Sequence, residues 1–426
     1  MRTLLAIALA LLAAVPAWLL RSGSLSLPVE LATLCFGLAV VGAAFTMSWA
    51  AEAAEHDIPR ALALTAVALL AVLPEYAVDI VFAFKAGRDP SFAPYAATNM
   101  TGSNRLLLGL GWSTVAVLAW LVGGGRVLRL GRGAVMPLAF LLIATLYSFS
   151  LPLRASIAPL DSLVLIGLFA AYAVLSGRQP TEVPELVGPA AAIGSLPTGA
   201  RRAAVLGLFA FAGASIGMAA EPFADGLVQT GRRLGIDEFL LVQWLAPLAS
   251  ETPEFLVAAL LAVRGKAASA MGLLLSAKVN QWTLLVGSLA VAYSAGAGHP
   301  AALPLDQRQV GEVLLTAAQS LFGVAVLASL TLSLWEAALL AGLFVAQLAL
   351  GGILRAGLHS SDAASAELYV FSVAYVVLAI ALLIRAVHSG IFKATGPLLA
   401  PGRPPQEPLH EPDGTAGGVR AARQRR

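Results

Sequence analysis

Two acidic motifs lie inside segments that are otherwise apolar. One is Ser250-Glu251-Thr252-Pro253-Glu254, within an apolar stretch from 244 to 263, and the other is Leu73-Pro74-Glu75-Tyr76. A charge at the centre of a membrane helix costs about 2.5–3.5 kcal/mol, so such residues usually face a partner or a wet cavity. Each proline also has no N–H to donate, which frees the carbonyl four residues earlier, at Leu70 and Ala249. Because hard cations prefer oxygen ligands, we predict one cation site built from both motifs beside broken helices.

Polar side chains on the helix after each motif extend the predicted site. The predicted ligands are Glu75, Glu254, Glu251, Asn99, Ser103, Ser250 and Asn280. Glu251 and Glu254 are spaced i, i+3 and share a helix face. Two carboxylates this close cannot both stay charged without a cation between them, so one is a candidate proton carrier. The alternative is structural, because amides and small residues are ordinary packing groups between membrane helices.

Lys278 and Arg105 lie near the middle of their predicted helices. Neither side chain easily reaches an interface, so each should have an acidic partner. Asp79 is the candidate partner of Arg105, and Glu251 or Glu254 that of Lys278, which would act as a fixed positive charge in the site. The residues predicted to modulate the site are Lys278, Ser276, Asn104, Arg105 and Asp79. Structural ion pairs away from the ion path are the alternative.

The composition predicts an all-α polytopic membrane protein. Of 426 residues, 58% are hydrophobic and 12% charged, with a mean hydropathy of +0.82, whereas soluble domains carry about a quarter charged residues. Apolar runs long enough to span a bilayer recur about twelve times. The single cysteine, Cys35, excludes an intrachain disulfide and a Cys-based metal site. Without a His-based metal motif or a Gly-rich phosphate loop, the sequence predicts neither enzyme nor cofactor, and no nucleotide or nucleic-acid partner.

An internal repeat organises the chain. Shifting residues 59–87 by 179 positions lays Pro74-Glu75 on Pro253-Glu254, and a shift of 176 in the next helix lays Asn104 on Asn280. About five predicted helices separate the copies, and an odd number inverts the second copy relative to the first. We therefore expect two inverted five-helix repeats with the site at the bilayer midplane, where they meet.

The expected segments follow from this repeat. They are an extra N-terminal helix at 1–27, repeats at 28–177 and 203–354, a cytoplasmic linker at 178–202, an extra C-terminal helix at 355–395 and a disordered basic tail at 396–426. A retained first helix is favoured over a cleaved signal peptide. The excess of Lys and Arg on alternate loops predicts that both termini are cytoplasmic.

The motifs resemble those of the calcium/cation antiporter superfamily, the sodium/calcium exchanger group, and indicate a divergent bacterial-type member. The resemblance is carried by Ala71-Val72-Leu73-Pro74-Glu75, by Ser250-Glu251-Thr252-Pro253-Glu254, by Thr98–Asn104 and more weakly by Leu275–Asn280. It covers roughly residues 28–354. It implies that Glu75 and Glu254 are the central ion-binding glutamates and that Ser103 is a ligand. Lys278 and Val279 depart from the family pattern. The resemblance therefore predicts the family's architecture better than its ion selectivity.

The resulting expectation is a secondary antiporter in the inner or plasma membrane. It would exchange a cation, foremost Ca²⁺, for Na⁺ or H⁺, with the bilayer and inorganic cations as its partners. One alternative is Na⁺/H⁺ or K⁺/H⁺ exchange, suggested by Lys278. Another is a non-transporting scaffold or sensor, in which ion pairs with Lys278 and Arg105 would lock Glu251 and Glu254.

Overall fold

A computed structural model describes residues 2–54, 73–178, 186–357 and 361–388, nearly all of which are helical. The helices are α1 (Arg2–Leu12), α2 (Val15–Arg21), α3 (Val29–Ala54), α4 (Leu73–Ala86), α5 (Ala93–Leu106), α6 (Ser113–Gly123), α7 (Val135–Ser148), α8 (Ser150–Arg154), α9 (Pro159–Ser176), α10 (Gly188–Gly194), α11 (Thr198–Leu234), α12 (Glu238–Leu240), α13 (Ala246–Val263), α14 (Ala267–Asn280), α15 (Val286–Ala297), α16 (Gln307–Leu327), α17 (Leu334–Gly352) and α18 (Ser361–His388). Four short strands are β1 (Val127–Arg129), β2 (Ser156–Ile157), β3 (Leu303–Pro304) and β4 (Thr331–Ser333).

Ten membrane spans are found among the described residues, judged by helix length and apolar composition. About twelve were expected. Of the predicted span 59–85, only the part from Leu73 onward lies within the described residues. The predicted span 267–295 is helical, but Lys278, Asn280 and Gln281 at its centre make it more polar than the ten. The chain is therefore an all-α polytopic membrane protein.

The positions of the four short strands follow the internal repeat. A shift of 176 residues lays β1 on β3 and β2 on β4. The observed pairs are antiparallel, β1 with β4 and β2 with β3, so each pair takes one strand from each half of the chain. Exchanging the halves converts one pair into the other. The span Arg132–Arg154 separates β1 from β2, which places the two pairs on opposite sides of the helix bundle.

The long helices α3 and α11 pack along each other outside the core of α4–α6 and α13–α15. α11 has 37 residues, a length of about 55 Å at 1.5 Å per residue. This exceeds the roughly 30 Å of a bilayer core, so the helix must tilt or extend beyond the lipid.

The expected break at Pro253 is wrong, because α13 continues without interruption from Ala246 to Val263. Neighbouring helices and side chains can satisfy the backbone groups that a proline frees, so a membrane helix tolerates it. The irregular backbone lies elsewhere, in π-helical turns just before α13 (Leu241–Leu245) and just after α5 and α14 (Leu107–Trp112 and Gln281–Leu285). Pro74 lies in the first turn of α4, and Leu70 lies outside the described residues.

The peripheral segments pack on this core. Helices α1 and α2 of the predicted segment 1–27 contact α3. The segment predicted as a linker, 178–202, contains α10 and the start of α11, while 179–185 lie outside the described residues. Helix α18 lies against α16 and α17. The predicted tail 396–426 is also outside the described residues.

Helix α5 meets the turn before α13 at Gly102, and this close approach requires glycine. A Cβ at this position would lie 1.9 Å from the carbonyl oxygen of Gln243, a backbone atom that cannot rotate away. The contact joins a helix of the first half directly to the segment that leads into α13.

We predict that Gly102→Ala destabilises the protein by about 1–3 kcal/mol, the usual cost of forcing a methyl group into a packed site. Gly272→Ala in α14 is the matched control, because a Cβ there meets nothing within 4 Å. Thermal unfolding in detergent should show a lower midpoint for Gly102→Ala and an unchanged midpoint for Gly272→Ala. Equal midpoints for the two variants would contradict the close packing described here.

Candidate cation site

Five polar side chains from three helices lie together in the interior. α4 contributes Asp79, α5 contributes Asn99 and Ser103, and α13 contributes Glu251 and Glu254. Asp79 lies beside Asn99, and Ser103 lies beside Glu251. The charge of Glu251 interacts with those of Asp79 and Glu254. The cluster therefore joins α4 and α5 of the first repeat to α13 of the second.

Most of the oxygens in this cluster have no hydrogen-bond partner. Asp79, Ser103 and Glu251 are fully buried, and Asn99 is 2% exposed. No described group makes a well-formed hydrogen bond to either carboxylate oxygen of Asp79 or Glu251, to the Ser103 hydroxyl or to Asn99 Oδ1, although Asn99 lies beside Asp79 and Ser103 beside Glu251. Unpaired buried polar atoms are rare because each one loses its hydration without compensation. Carboxylate, amide and hydroxyl oxygens are ligands of hard cations such as Ca²⁺.

The donor set mixes carboxylates with neutral oxygens. Within the described ranges, no three His, Cys, Asp or Glu side chains cluster closely enough to hold a metal by themselves. The arrangement therefore differs from a transition-metal site, which would use imidazole or thiolate ligands.

The charges of the cluster do not cancel. The carboxylates of Asp79, Glu251 and Glu254 face one nearby ammonium group, that of Lys278, which leaves two negative charges if all four groups are ionised. In a membrane interior such an excess is expensive unless cations or protons neutralise it. One divalent cation or two protons would balance these groups.

Lys278 is completely buried and joins the two repeats. Its Nζ donates to the carbonyl oxygen and to Oδ1 of Asn104, both at 2.8 Å, while Asn104 Nδ2 donates to the carbonyl of Met100. Lys278 was expected to pair with Glu251 or Glu254. Its charge does interact with Glu251, but it also anchors α14 to α5 through Asn104.

The predicted partner of Arg105 is wrong. Arg105 is 1% exposed and forms a buried ion pair with Glu312 of α16 rather than with Asp79. Its second terminal nitrogen donates to Gln347 of α17, and its guanidinium lies 5.1 Å from the ring centroid of Trp244. Asp79 is thus left without a basic partner among the described residues and turns its carboxylate toward Asn99 instead.

Three predicted residues make hydrogen bonds elsewhere. The Ser250 hydroxyl donates to the carbonyls of Ala246 and Pro247 in its own helix. Ser276 accepts from the Tyr172 hydroxyl at 3.1 Å, and Asn280 Oδ1 accepts from the Tyr76 hydroxyl at 2.6 Å. Glu75 lies in the first turn of α4, and its side chain is outside the described structure.

Sequence reasoning gave Asp79 too small a part and missed Glu312. Asp79 follows Glu75 by one helical turn, a spacing that places both on one face and could have indicated a ligand. Glu312 lies near the start of α16, where the sequence alone does not indicate burial, yet it is 1% exposed. Arg105 was the signal in the sequence that could have indicated Glu312, because a buried arginine requires an acidic partner somewhere in the chain.

A second group of charges lines a cavity between α3 and α11. The cavity has a volume of about 360 Å³ and is lined by Thr33, Glu221 and Asp225 among others. Lys85 of α4 binds Asp225 at 2.6 Å and Glu221 at 3.1 Å. These ion pairs connect the long outer helix α11 to the helix that carries Asp79.

We predict that Glu251→Gln weakens Ca²⁺ binding by about tenfold or more, the loss expected when one charged ligand is removed. The measurement is the rise in thermal unfolding midpoint as Ca²⁺ is added to the purified protein. Ser250→Ala is the matched control, because its hydroxyl bonds to its own helix. An unchanged Ca²⁺ response in Glu251→Gln would remove this residue from the site.

Comparisons with known proteins find matches that include the helices of the candidate site. The family model described as "Sodium/calcium exchanger protein" matches residues 29–178 and 204–351. A solved structure titled "Crystal Structure of H+/Ca2+ Exchanger CAX" is 44% identical, with a TM-score of 0.84, covering 94% of this chain and 99% of that one. A Ca²⁺/H⁺ antiporter structure, YfkE, is 15% identical with a TM-score of 0.56, covering 81% and 97%. No curated protein sequence matches significantly.

Proposed function

Because the chain belongs to the sodium/calcium exchanger protein family, we propose that it exchanges Ca²⁺ for H⁺ across a membrane at the cluster of Asp79, Asn99, Ser103, Glu251 and Glu254. The observation that carries the proposal is the set of buried oxygens without hydrogen-bond partners. The 44% identical structure titled as an H⁺/Ca²⁺ exchanger supports H⁺ over Na⁺ as the counter-ion.

The excess of negative charge explains why such a site exchanges ions and does not simply release them. Two uncompensated charges near the membrane centre cost about 5–7 kcal/mol on insertion scales. A cost of about 5.5 kcal/mol shifts a two-state equilibrium about 10⁴-fold. The empty site therefore rarely changes sides, whereas it can do so once Ca²⁺ or protons neutralise its carboxylates, Glu75 included. Protons and Ca²⁺ compete for the same carboxylates.

The proposed ligands come from both repeats. Glu251, Glu254, Asn99 and Ser103 supply oxygens, and Asp79 joins them as a carboxylate close to Asn99. Glu75 completes the set by its family resemblance. Ser250 and Asn280 would become ligands only after breaking their present hydrogen bonds, so the proposed ligand set leaves them out.

Alternating access would come from movement of α3 and α11 relative to the core helices. These two helices pack along each other and enclose the charged cavity on one side. The ion pairs of Lys85 with Asp225 and Glu221 would have to break or slide whenever α11 moves against α4. We place the protein in the inner or plasma membrane with both termini cytoplasmic, because of the positive-inside bias of its loops.

The two alternative functions require different interactions of the buried charged side chains. Exchange of Na⁺ or K⁺ for H⁺ would suit the Lys278 ammonium, which reduces the charge available for cations. A non-transporting scaffold requires Glu251 locked in an ion pair, but no described group binds either of its oxygens. It also requires Arg105 at the site acids, whereas Arg105 binds Glu312.

We predict that an acid-inside pH gradient drives ⁴⁵Ca²⁺ uptake into everted membrane vesicles, and that Glu254→Gln or Glu75→Gln abolishes it. The reason is that each substitution removes a carboxylate that must alternate between Ca²⁺ and protons. The measurement is uptake before and after a protonophore collapses the gradient, with a Na⁺ gradient as the second driving force. Glu336→Gln is the control, because Glu336 only caps the start of α17 through Ser333.

Uptake that follows the Na⁺ gradient and ignores the protonophore would replace H⁺ by Na⁺ as the counter-ion. Full Ca²⁺ uptake by both Glu75→Gln and Glu254→Gln would refute the carboxylate mechanism. Movement of Na⁺ or K⁺ without Ca²⁺ would favour the monovalent alternative.

A further inference from the structure

Glu312 of α16 is a buried residue that contacts several side chains next to the segments of the proposed cation site. It is 1% exposed, and its Oε2 accepts hydrogen bonds both from Arg105 of α5 and, at 2.8 Å, from Nε2 of Gln243. Its other oxygen lies 3.7 Å from the guanidinium of Arg355. One carboxylate oxygen thus holds groups from two segments far apart in the chain.

These two segments are the walls of the proposed site. Arg105 follows the ligand Ser103 by two residues on α5, and Gln243 lies in the π-helical turn that leads into α13, which carries Glu251 and Glu254. The walls touch directly at Gly102 and the Gln243 backbone. Glu312 therefore fastens α5 to α13 next to the point where they meet.

Two further side chains hold the Arg105 guanidinium in place. Gln347 of α17 binds the second terminal nitrogen of Arg105, and Trp244 lies against the guanidinium. A buried guanidinium with this many partners has a fixed position, because any displacement leaves charged donors unpaired in a low-dielectric interior. The position of α5 relative to α13 is fixed with it.

We propose that Glu312 is a positioning residue that sets the spacing between α5 and α13 and thereby the cation size that the site prefers. The inference rests on the proposed function and extends it. Selectivity among hard divalent cations depends on cavity size, ligand number and ligand rigidity. A rigid spacing between Ser103 on one wall and Glu251 on the other restricts the cavity, and loosening it lets larger ions bind.

The test measures size preference, because a general loss of stability would weaken all cations alike. Purified, folded Glu312→Gln and Gln243→Leu variants are compared with wild type for competition of Mn²⁺, Ca²⁺, Sr²⁺ and Ba²⁺ in vesicle transport. Gln243→Leu removes one hydrogen bond and keeps the Arg105–Glu312 charge pair, so it separates positioning from charge. Glu336→Gln is the matched glutamate control.

We expect the preference for Ca²⁺ over Sr²⁺ to fall about fivefold in Glu312→Gln and about two- to threefold in Gln243→Leu, corresponding to lost buried hydrogen bonds. The preference should be unchanged in Glu336→Gln. If Glu312→Gln does not fold, Gln243→Leu alone decides the outcome.

An unchanged preference for Ca²⁺ over Sr²⁺ in folded Gln243→Leu would overturn the positioning role, and so would an equal loss of affinity for all four cations. Absence of Ca²⁺ transport by the wild-type protein would overturn the proposed function and this inference together. The two failures are distinguished by the wild-type measurement.

Discussion

The cost of an unneutralised charge away from water governs this structure. The buried charges named above, all within the described residues, are of two kinds. Arg105 and Glu312 neutralise each other, and the Lys278 ammonium donates hydrogen bonds to two oxygens of Asn104. Asp79 and Glu251 instead keep oxygens without any described partner. The first arrangement is static and supports the helices, whereas the second is complete only when an ion or protons arrive from outside.

The site depends on contacts between the two halves of the chain. Lys278 of the second half binds Asn104 of the first, and Tyr76 of the first binds Asn280 of the second. Gly102 allows the two halves to touch through backbone atoms. The proposed ligands come from both halves, so we expect cation binding to depend on the interface between the repeats.

Sequence reasoning reached the fold because it depends on local signals, and the same signals underlie the helices proposed for the site. Apolar length predicts membrane helices, and the Pro-Glu motifs mark the polar positions within them. The partners of the buried charged side chains could not be predicted in the same way. Glu312 lies 207 residues from Arg105 and near the start of α16, and only the packing of α16 against α5 brings them together. The continuity of α13 through Pro253 likewise depends on tertiary contacts that a local motif does not encode.

The two short strand pairs have a consequence for biosynthesis. β1 and β2 emerge with the first half of the polypeptide, but their partners β4 and β3 are made only after residue 300. Their edge groups must stay hydrated at the bilayer surface, or be shielded by other proteins, until β3 and β4 have been synthesised. Co-translational insertion of the early helices can therefore precede, but not complete, the tertiary closure of the molecule.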